Sequence, residues 1–409
     1  MHRILAATIL FSASVALAGD TGGDGADGAP ANAFWHKFQF HGNLDQSVVY
    51  GSGNNYLTLD TNGGTAKWSE GSVNLSVPIT ENFHAGVQIH DYMMGQLGRG
   101  NLMLDWAYGD YRVKNWLGFR GGKIKAPMGL FNETSDTDVL HNWALLPQGV
   151  YEEDYRSYRI PVVGGAIYGN VQLPVGGNVT YQLFGGQRSV ASNDGAFLLT
   201  RQLYGIVIPT DSGYTYGGNI KWRTPIKGLT AGIAFDNSRP IASHALWPAN
   251  ANPYGAPLVL RIDSAISRQI YSVGYRRGKL DLAAEGKVEP HWVANNGVPV
   301  SPTGSWQHAW YVMGAYHLTG KLTAGSYFSR TTGTGFIATF SWASYDPNNP
   351  NYYSNDTVAN ARYDINRFFY LKLEGHYIDG NLAAFFPGTN PKGLQKATRL
   401  GIARLGFVF

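Results

Sequence analysis

Residues 369–377, Phe-Tyr-Leu-Lys-Leu-Glu-Gly-His-Tyr, decide the fold. Phe369, Leu371, Leu373 and Tyr377 fall on one face, and Tyr370, Lys372, Glu374 and His376 on the other. That period of two is the signature of a strand with one apolar face. The pattern recurs upstream. Phe83, Ala85, Val87 and Ile89 interleave with His84, Gly86, Gln88 and His90, and Val179, Tyr181 and Leu183 with Thr180, Gln182 and Phe184. Leu229, Ala231, Ile233 and Phe235 interleave with Thr230, Gly232, Ala234 and Asp236, and Leu280, Leu282 and Ala284 with Asp281, Ala283, Glu285 and Lys287. The second face is rich in Gly, Thr, Gln and charges of both signs, which suits a wet lumen better than the core of a sandwich.

The connections are of two kinds. Short turns fall at 80–82, 113–115, 174–178, 225–228, 277–279, 319–321 and 365–367. Long polar segments fall at about 51–65, 94–99, 126–158, 188–211, 239–263, 291–304, 332–355 and 379–395. Short and long alternate along the whole chain, as tight periplasmic turns and longer external loops do in membrane barrels. The spacing predicts an all-β fold: a transmembrane antiparallel β-barrel of about sixteen strands with both termini periplasmic.

Composition agrees. The 409 residues include 52 Gly, 25 Tyr, 19 Phe and 11 Trp, no Cys, and only 15% charged residues, against roughly a quarter in an average globular protein. Without Cys there is no disulfide scaffold, zinc-thiolate site or iron–sulfur cluster. A formal charge of +4 is too mild to argue for a nucleic-acid partner. In lipid every backbone polar group needs an internal partner, which a closed sheet supplies. Aromatics then collect at the two interfaces, where Phe40, Trp106, Phe119, Trp222, Tyr275 and Phe407 are expected. Gly serves small lumen positions and the bends of a curling sheet.

At the N-terminus, Met1-His2-Arg3 is a short basic segment, Ile4 to Leu17 is an apolar run, and Ala16-Leu17-Ala18 is a small-residue cleavage pattern. Residues 1–18 are therefore expected to be a secretory signal peptide, 19–33 a flexible leader, and 34–409 the barrel. Beyond the signal no stretch approaches the ~18 apolar residues of a membrane helix.

The final strand places Ala403, Leu405 and Phe407 on one face and Arg404 on the other, and ends in Phe409. Phe407 and Phe409 resemble the terminal signal by which Gram-negative outer-membrane proteins address their assembly machinery. Gly122-Lys123-Ile124-Lys125-Ala126-Pro127-Met128-Gly129-Leu130, after an expected bulge at Gly121-Gly122, resembles the strand-to-loop passage of the phosphate-selective porin superfamily. The resemblance implies a homotrimer in the outer membrane, among lipid and lipopolysaccharide, whose third external loop folds in and narrows the pore. An arginine ladder of the phosphate-selective kind is not apparent, so phosphate selectivity does not carry over.

The infolded loop would be about 126–158. It offers Glu133, Asp136, Asp138, Glu152, Glu153 and Asp154, while alternation points Arg120, Lys221, Arg223, Arg268, Arg276, Lys287, Arg362, Lys372 and Arg404 into the lumen. Lys123 and Lys125 follow the bulge and complete the constriction set, although alternation does not decide their facing. Acids on the loop opposite bases on the wall would set a transverse field across the path of small hydrophilic solutes or ions. The expected function is passive diffusion, with no catalysis, no cofactor and no metal.

Two other readings stand beside it. A substrate-specific channel, for a sugar or an anion, could use Trp247, Tyr254, Trp292, Trp306, Trp310, Trp342, Tyr352 and Tyr353 in or beside the external loops. An outer-membrane hydrolase could draw on His84, His90 and His376 with Ser76 or Ser272, but no G-x-S-x-G elbow is present. A soluble sandwich is the last structural competitor.

Overall fold

The computed structural model describes residues 37–409 except 99, 192–193, 242, 296–297, 300–304 and 335–344. The expected signal peptide and leader lie outside these residues, as does Trp342. Sixteen long strands alternate direction around one closed sheet. They are β1 (Gln39–Ser52), β2 (Thr65–Pro78), β3 (Phe83–Met94), β4 (Met103–Lys114) and β5 (Leu117–Lys125). Then come β6 (Pro161–Gln172), β7 (Asn178–Ala191), β8 (Thr210–Arg223), β9 (Leu229–Ile241), β10 (Leu258–Arg277) and β11 (Leu280–Asn295). The circuit ends with β12 (Ser305–His317), β13 (Leu322–Gly333), β14 (Tyr353–Asp364), β15 (Phe369–Gly380) and β16 (Ala397–Val408). Two shorter strands, Ser243–Trp247 and Val298–Pro299, extend the sheet into the long connections.

Closure is by β16 on β1, in antiparallel register from Asn43↔Val408 to Ser52↔Arg399. Beyond the ladder, Gly42 N–H donates to the Phe409 carbonyl (3.2 Å) and Phe409 N–H to the Gly42 carbonyl (3.1 Å). A closed ladder leaves no edge strand, so no row of backbone groups faces lipid. All seven short turns join strands at one end, and all eight long segments leave the other end.

The two faces divide as alternation predicts. Leu44, Val48, Leu183, Ile233, Leu373 and Leu405 point outward and are exposed, while Asp45, Glu70, Asp236, Glu285, Lys372 and Arg404 point inward and are buried. An apolar exterior around a charged interior inverts a soluble protein and matches a bilayer barrel. Among the described residues no helix is long and apolar enough to cross a membrane, so the strands do the crossing.

Two local expectations fail. Trp106 is not on the outer girdle: it points inward, 4% exposed, and stacks on Tyr108 at 5.1 Å between ring centroids. It stands in unbroken register opposite the inward Gln88, in phase with Tyr108 and Asp110, and the β3–β4 register slips only beyond it, where Ile89 faces Leu104. The expected bulge at Gly121-Gly122 is absent, because the ladder runs unbroken through both glycines to β4 and β6. Gly122 instead takes φ +132°, with the Ala107 carbonyl where a Cβ would lie, a conformation reserved for glycine.

Candidate channel constriction

The connection between β5 and β6, residues 126–160, is buried over most of its length. It contains two short 3-10 turns, Asn132–Thr134 and Asp138–Leu140, and one helical turn, α1 (Arg156–Arg159). Irregular backbone at membrane depth needs partners for its N–H and C=O groups, and inward side chains of the wall supply them. Arg362 donates to the carbonyls of Val139 (2.6 Å) and His141 (2.8 Å). Lys372 donates to the Trp143 carbonyl (2.8 Å) and Arg404 to that of Ala144 (3.0 Å). The Glu374 carboxylate accepts from Ala144 N–H (2.9 Å) and Leu145 N–H (3.0 Å).

Asp138 is the hub of this contact. Its carboxylate meets Arg404 at 2.6 Å and Lys372 at 2.7 Å, and accepts the Tyr370 hydroxyl at 2.9 Å. Burial works to raise its pKa, but Arg404 and Lys372 outweigh that and hold it below the ordinary value. His141, next along, is pushed down to about 4 by burial and by Lys372, so it is neutral at neutral pH and its Nε2 bonds the Thr134 carbonyl at 2.8 Å.

The rest of the loop is tied in the same manner. Asp136 pairs with Lys125 at 2.5 Å and accepts from Gln88 on β3 at 2.8 Å. Glu153 pairs with Arg156 at 3.2 Å, and Arg156 reaches Glu70 on β2 at 2.6 Å. Glu152 pairs with Lys287 on β11. Leu130 N–H donates to Glu285 at 2.8 Å. Gly129 has φ +65°, and a Cβ there would meet both the Tyr151 hydroxyl and the Glu285 carboxylate, so only glycine fits this bend. The wall groups that anchor the loop thus come from β2, β3, β5, β11 and β13–β16.

The expected constriction residues therefore separate into groups. Asp136, Asp138, Glu152, Glu153, Lys125, Lys372 and Arg404 meet in buried ion pairs where loop and wall touch, rather than facing each other across open lumen. Arg362 is spent on loop carbonyls and on Asp364 (2.9 Å). Lys123 faces outward, opposite the exposed Val163, with its ammonium on the Leu104 carbonyl. Arg120 points inward from β5, paired with Asp110 at 2.9 Å and lying over the rings of Tyr108 (4.5 Å) and Tyr168 (5.4 Å). Glu133 and Asp154 form no ion pair among the described residues. Sequence alternation does not single out Glu70, although it lies on the inner face of β2, and it places His90 on the inner face of β3 without assigning it to the constriction. Arg156 has no local signal at all, since its role depends on where the loop lands.

Asp154 is a different case from Asp138. Burial, with Glu152 and Asp194 nearby, raises its pKa to about 8, so the carboxyl is protonated at neutral pH. It sits where loop 126–160 meets helix α2 (Gly195–Tyr204), whose first N–H donates to the Asp154 carbonyl at 2.8 Å. A carboxyl raised in the folded state contributes stability that is lost as pH rises through about 8. The heat-unfolding midpoint should fall as pH rises from about 5 to 8 and level off above that, and Asp154→Asn should flatten that fall; an equal loss in the variant would contradict the assignment.

Between β7 and β10 the inner wall is lined by small residues, among them Gly217, Gly232, Ser272 and Gly274. Arg188 and Arg268, both paired with Asp236, and Arg276, paired with Asp281, also lie on this wall. Lys221 and Arg223 share the inner face of β8, and neither forms an ion pair among the described residues.

Known structures share this architecture. OmpF of Salmonella typhi in complex with daunomycin superposes with a TM-score of 0.54 at 12% identity, over 91% of this chain and 97% of that one. The anion-selective porin from Comamonas acidovorans gives 0.52 at 9%, over 91% and 99%. The trimer form of in-vitro folded OmpT, an outer-membrane protein of Vibrio cholerae, gives 0.51 at 12%, over 91% and 99%. The chain has the outer-membrane porin fold. A sixteen-stranded porin barrel, apolar outside and polar within, is a protein of the Gram-negative outer membrane. No family model matches, and no curated protein matches by sequence, so the likeness of 122–130 to phosphate-selective porins has no counterpart in the family comparison.

Within the porin fold the candidate hydrolase residues have other partners. His90 lies 2.9 Å from Glu70, and His376 lies 3.0 Å from both Asp356 and Glu374. None of His84, His90 and His376 hydrogen-bonds Ser76 or Ser272 among the described residues. Of the loop-side aromatics, Trp292 and Trp310 point outward from the barrel and are exposed.

Proposed function

We propose that the chain is a passive channel for small hydrophilic solutes, without catalysis, and that its water path runs between the infolded loop and the inner wall of β5–β10. One observation supports this reading: the hydrogen-bonding anchors of loop 126–160 come from β2, β3, β5, β11 and β13–β16, whereas β8–β10 present Gly232, Ser272 and Gly274 beside Lys221 and Arg223, two bases that form no ion pair among the described residues. Arg120, Glu133, Lys221 and Arg223 then line the narrow part, and the field there comes from these few groups instead of from the whole acidic loop. The excess of base favours anions over cations. The anion-selective character of one structural neighbour is in keeping with that second, narrower reading.

The trimer form of one neighbour supports a homotrimer seated among outer-membrane lipid and lipopolysaccharide. Phe407 and Phe409, whose rings pack 5.7 Å apart, would serve as the signal to the assembly machinery. The selectivity test is the zero-current potential across a planar bilayer under a salt gradient. It should have the sign of an anion-preferring pore and move toward cations in Lys221→Glu and Arg120→Glu. An unchanged potential in both variants would remove these residues from the path.

A further inference from the structure

Helix α2 crosses the long-loop mouth from one side to the other. Its root lies in the β7–β8 connection, where Phe197 and Tyr204 pack on Ile206, Ile208, Ala245 and Leu260. Val207 and Leu246 exchange both backbone hydrogen bonds there at 2.8 Å. On its other face, Leu198 is buried in an apolar cluster with Leu57, Leu59, Phe385 and Phe386, and the Gln202 side chain accepts from Gly388 N–H at 2.9 Å. Gly388 belongs to the β15–β16 connection, half the circuit away from β7–β8. The helix thus stands across the entrance, with its root above the wall that borders the proposed water path.

The two attachments differ in strength. The root is an apolar patch backed by backbone pairing. The far attachment is one fully buried side chain and one hydrogen bond, and α2 is shorter than the ~12–15 residues an isolated helix needs to persist. At its N-terminus α2 rests on loop 126–160, where Gly195 N–H donates to the Asp154 carbonyl at 2.8 Å and the Ser157 hydroxyl to Asp194. Elsewhere this loop is tied by ion pairs, but Asp154 forms none among the described residues. Around its carboxyl stand Glu152, Glu153 and Tyr155 of the same loop, Asp194 ahead of α2, Tyr56 of the β1–β2 connection and Tyr92 of β3. The bases nearest these acids are engaged, Lys287 by Glu152 and Arg156 by Glu153. A charge on Asp154 therefore opposes docking of α2.

We propose that α2 is a lid hinged at Gly205, and that its lifting from loop 126–160 widens the long-loop entrance of the channel. Gly205 ends the helix at φ +70°, a conformation open to glycine that can absorb the change in backbone angle. The proposal rests on the channel reading. Docking raises the Asp154 carboxyl to about 8, so the docked lid is favoured at low pH and weakens as pH rises from about 5 to 8. The open-to-closed ratio should climb by up to about tenfold per pH unit in that window and level off above it.

A staple tests the lid directly. The chain has no Cys, and a Cβ at Gly388 would lie 2.6 Å from the Gln202 amide carbon, within reach of a bridge between Gln202→Cys and Gly388→Cys. In a planar bilayer at pH 8 the oxidised double variant should stay at the smaller of two conductance levels, and reductant should return the larger level to wild-type occupancy. Leu198→Ser should raise that occupancy more than about tenfold at pH 5, and Asp154→Asn should hold the smaller level at every pH. Heat-modifiable migration confirms that each variant folds. Conducting steps that are the same in the oxidised and reduced double variant overturn the lid alone. Folded protein that inserts without steps in every form overturns the channel reading, and the lid with it.

Discussion

Asp138→Asn should enlarge the single-channel conductance and lower the heat-unfolding midpoint together. The carboxylate holds Arg404 at 2.6 Å and Lys372 at 2.7 Å, and all three side chains are almost wholly buried. Removing one partner of such a cluster leaves uncompensated buried charge, at a cost of about 3–5 kcal/mol. The same change takes the central tether from a loop whose backbone is held by Arg362, Lys372 and Arg404, so the segment around 138–145 is released into the lumen. Asp281→Asn is the control. Its partner Arg276 is largely exposed, and exposed pairs contribute about 0–1 kcal/mol. If Asp138→Asn matched that control in both conductance and midpoint, the loop would not be anchored as described.

A paired substitution on β7 should have opposite outcomes at neighbouring positions. Leu183 points outward, 52% exposed, and Leu183→Arg places a cation against lipid, costing about 2–4 kcal/mol near the bilayer midplane. Gln182 points inward, and Gln182→Arg should leave folding stability nearly unchanged while shifting ion selectivity. Denaturant unfolding in lipid vesicles measures the first effect and zero-current potential the second. A soluble sandwich would tolerate Leu183→Arg with ease, so indifference to that change would argue against the membrane reading.

Why so much of the architecture is visible in one sequence follows from the barrel itself. Each strand meets two uniform environments, lipid outside and polar lumen inside, so a strict alternation such as that of 369–377 reports facing directly. Turn residues at seven places match the seven short connections, because a tight antiparallel turn leaves little freedom in sequence. The failures occur where that regularity breaks. Trp106 is a failure of another kind: its residue type suggests the girdle, but the regular ladder sets it opposite the inward Gln88, in phase with Asp110. Lys123 and Lys125 stand side by side in sequence but diverge in the fold: one stays on the outer face of β5 and the other turns in at the strand's end.

The loop charges were legible as a cluster but not as pairs. An acidic segment opposite a basic wall is read from sequence as a field across open water. In the folded chain Asp136, Asp138, Glu152 and Glu153 lie against their partners instead, because buried carboxylates need cations within hydrogen-bond reach. Which base meets which acid depends on where 35 residues of loop, 126–160, come to rest, and that is a property of the closed barrel. Glu133 and Arg120, which stay clear of these pairs, are the ones among the expected constriction residues that the proposed channel keeps on the solute path.

The most direct test of the channel assignment is single-channel recording of the purified, folded protein in a planar bilayer over a series of salt concentrations. A passive channel gives discrete steps whose conductance rises in proportion to salt. Folded protein that inserts without steps, or steps that saturate at low salt, would contradict it.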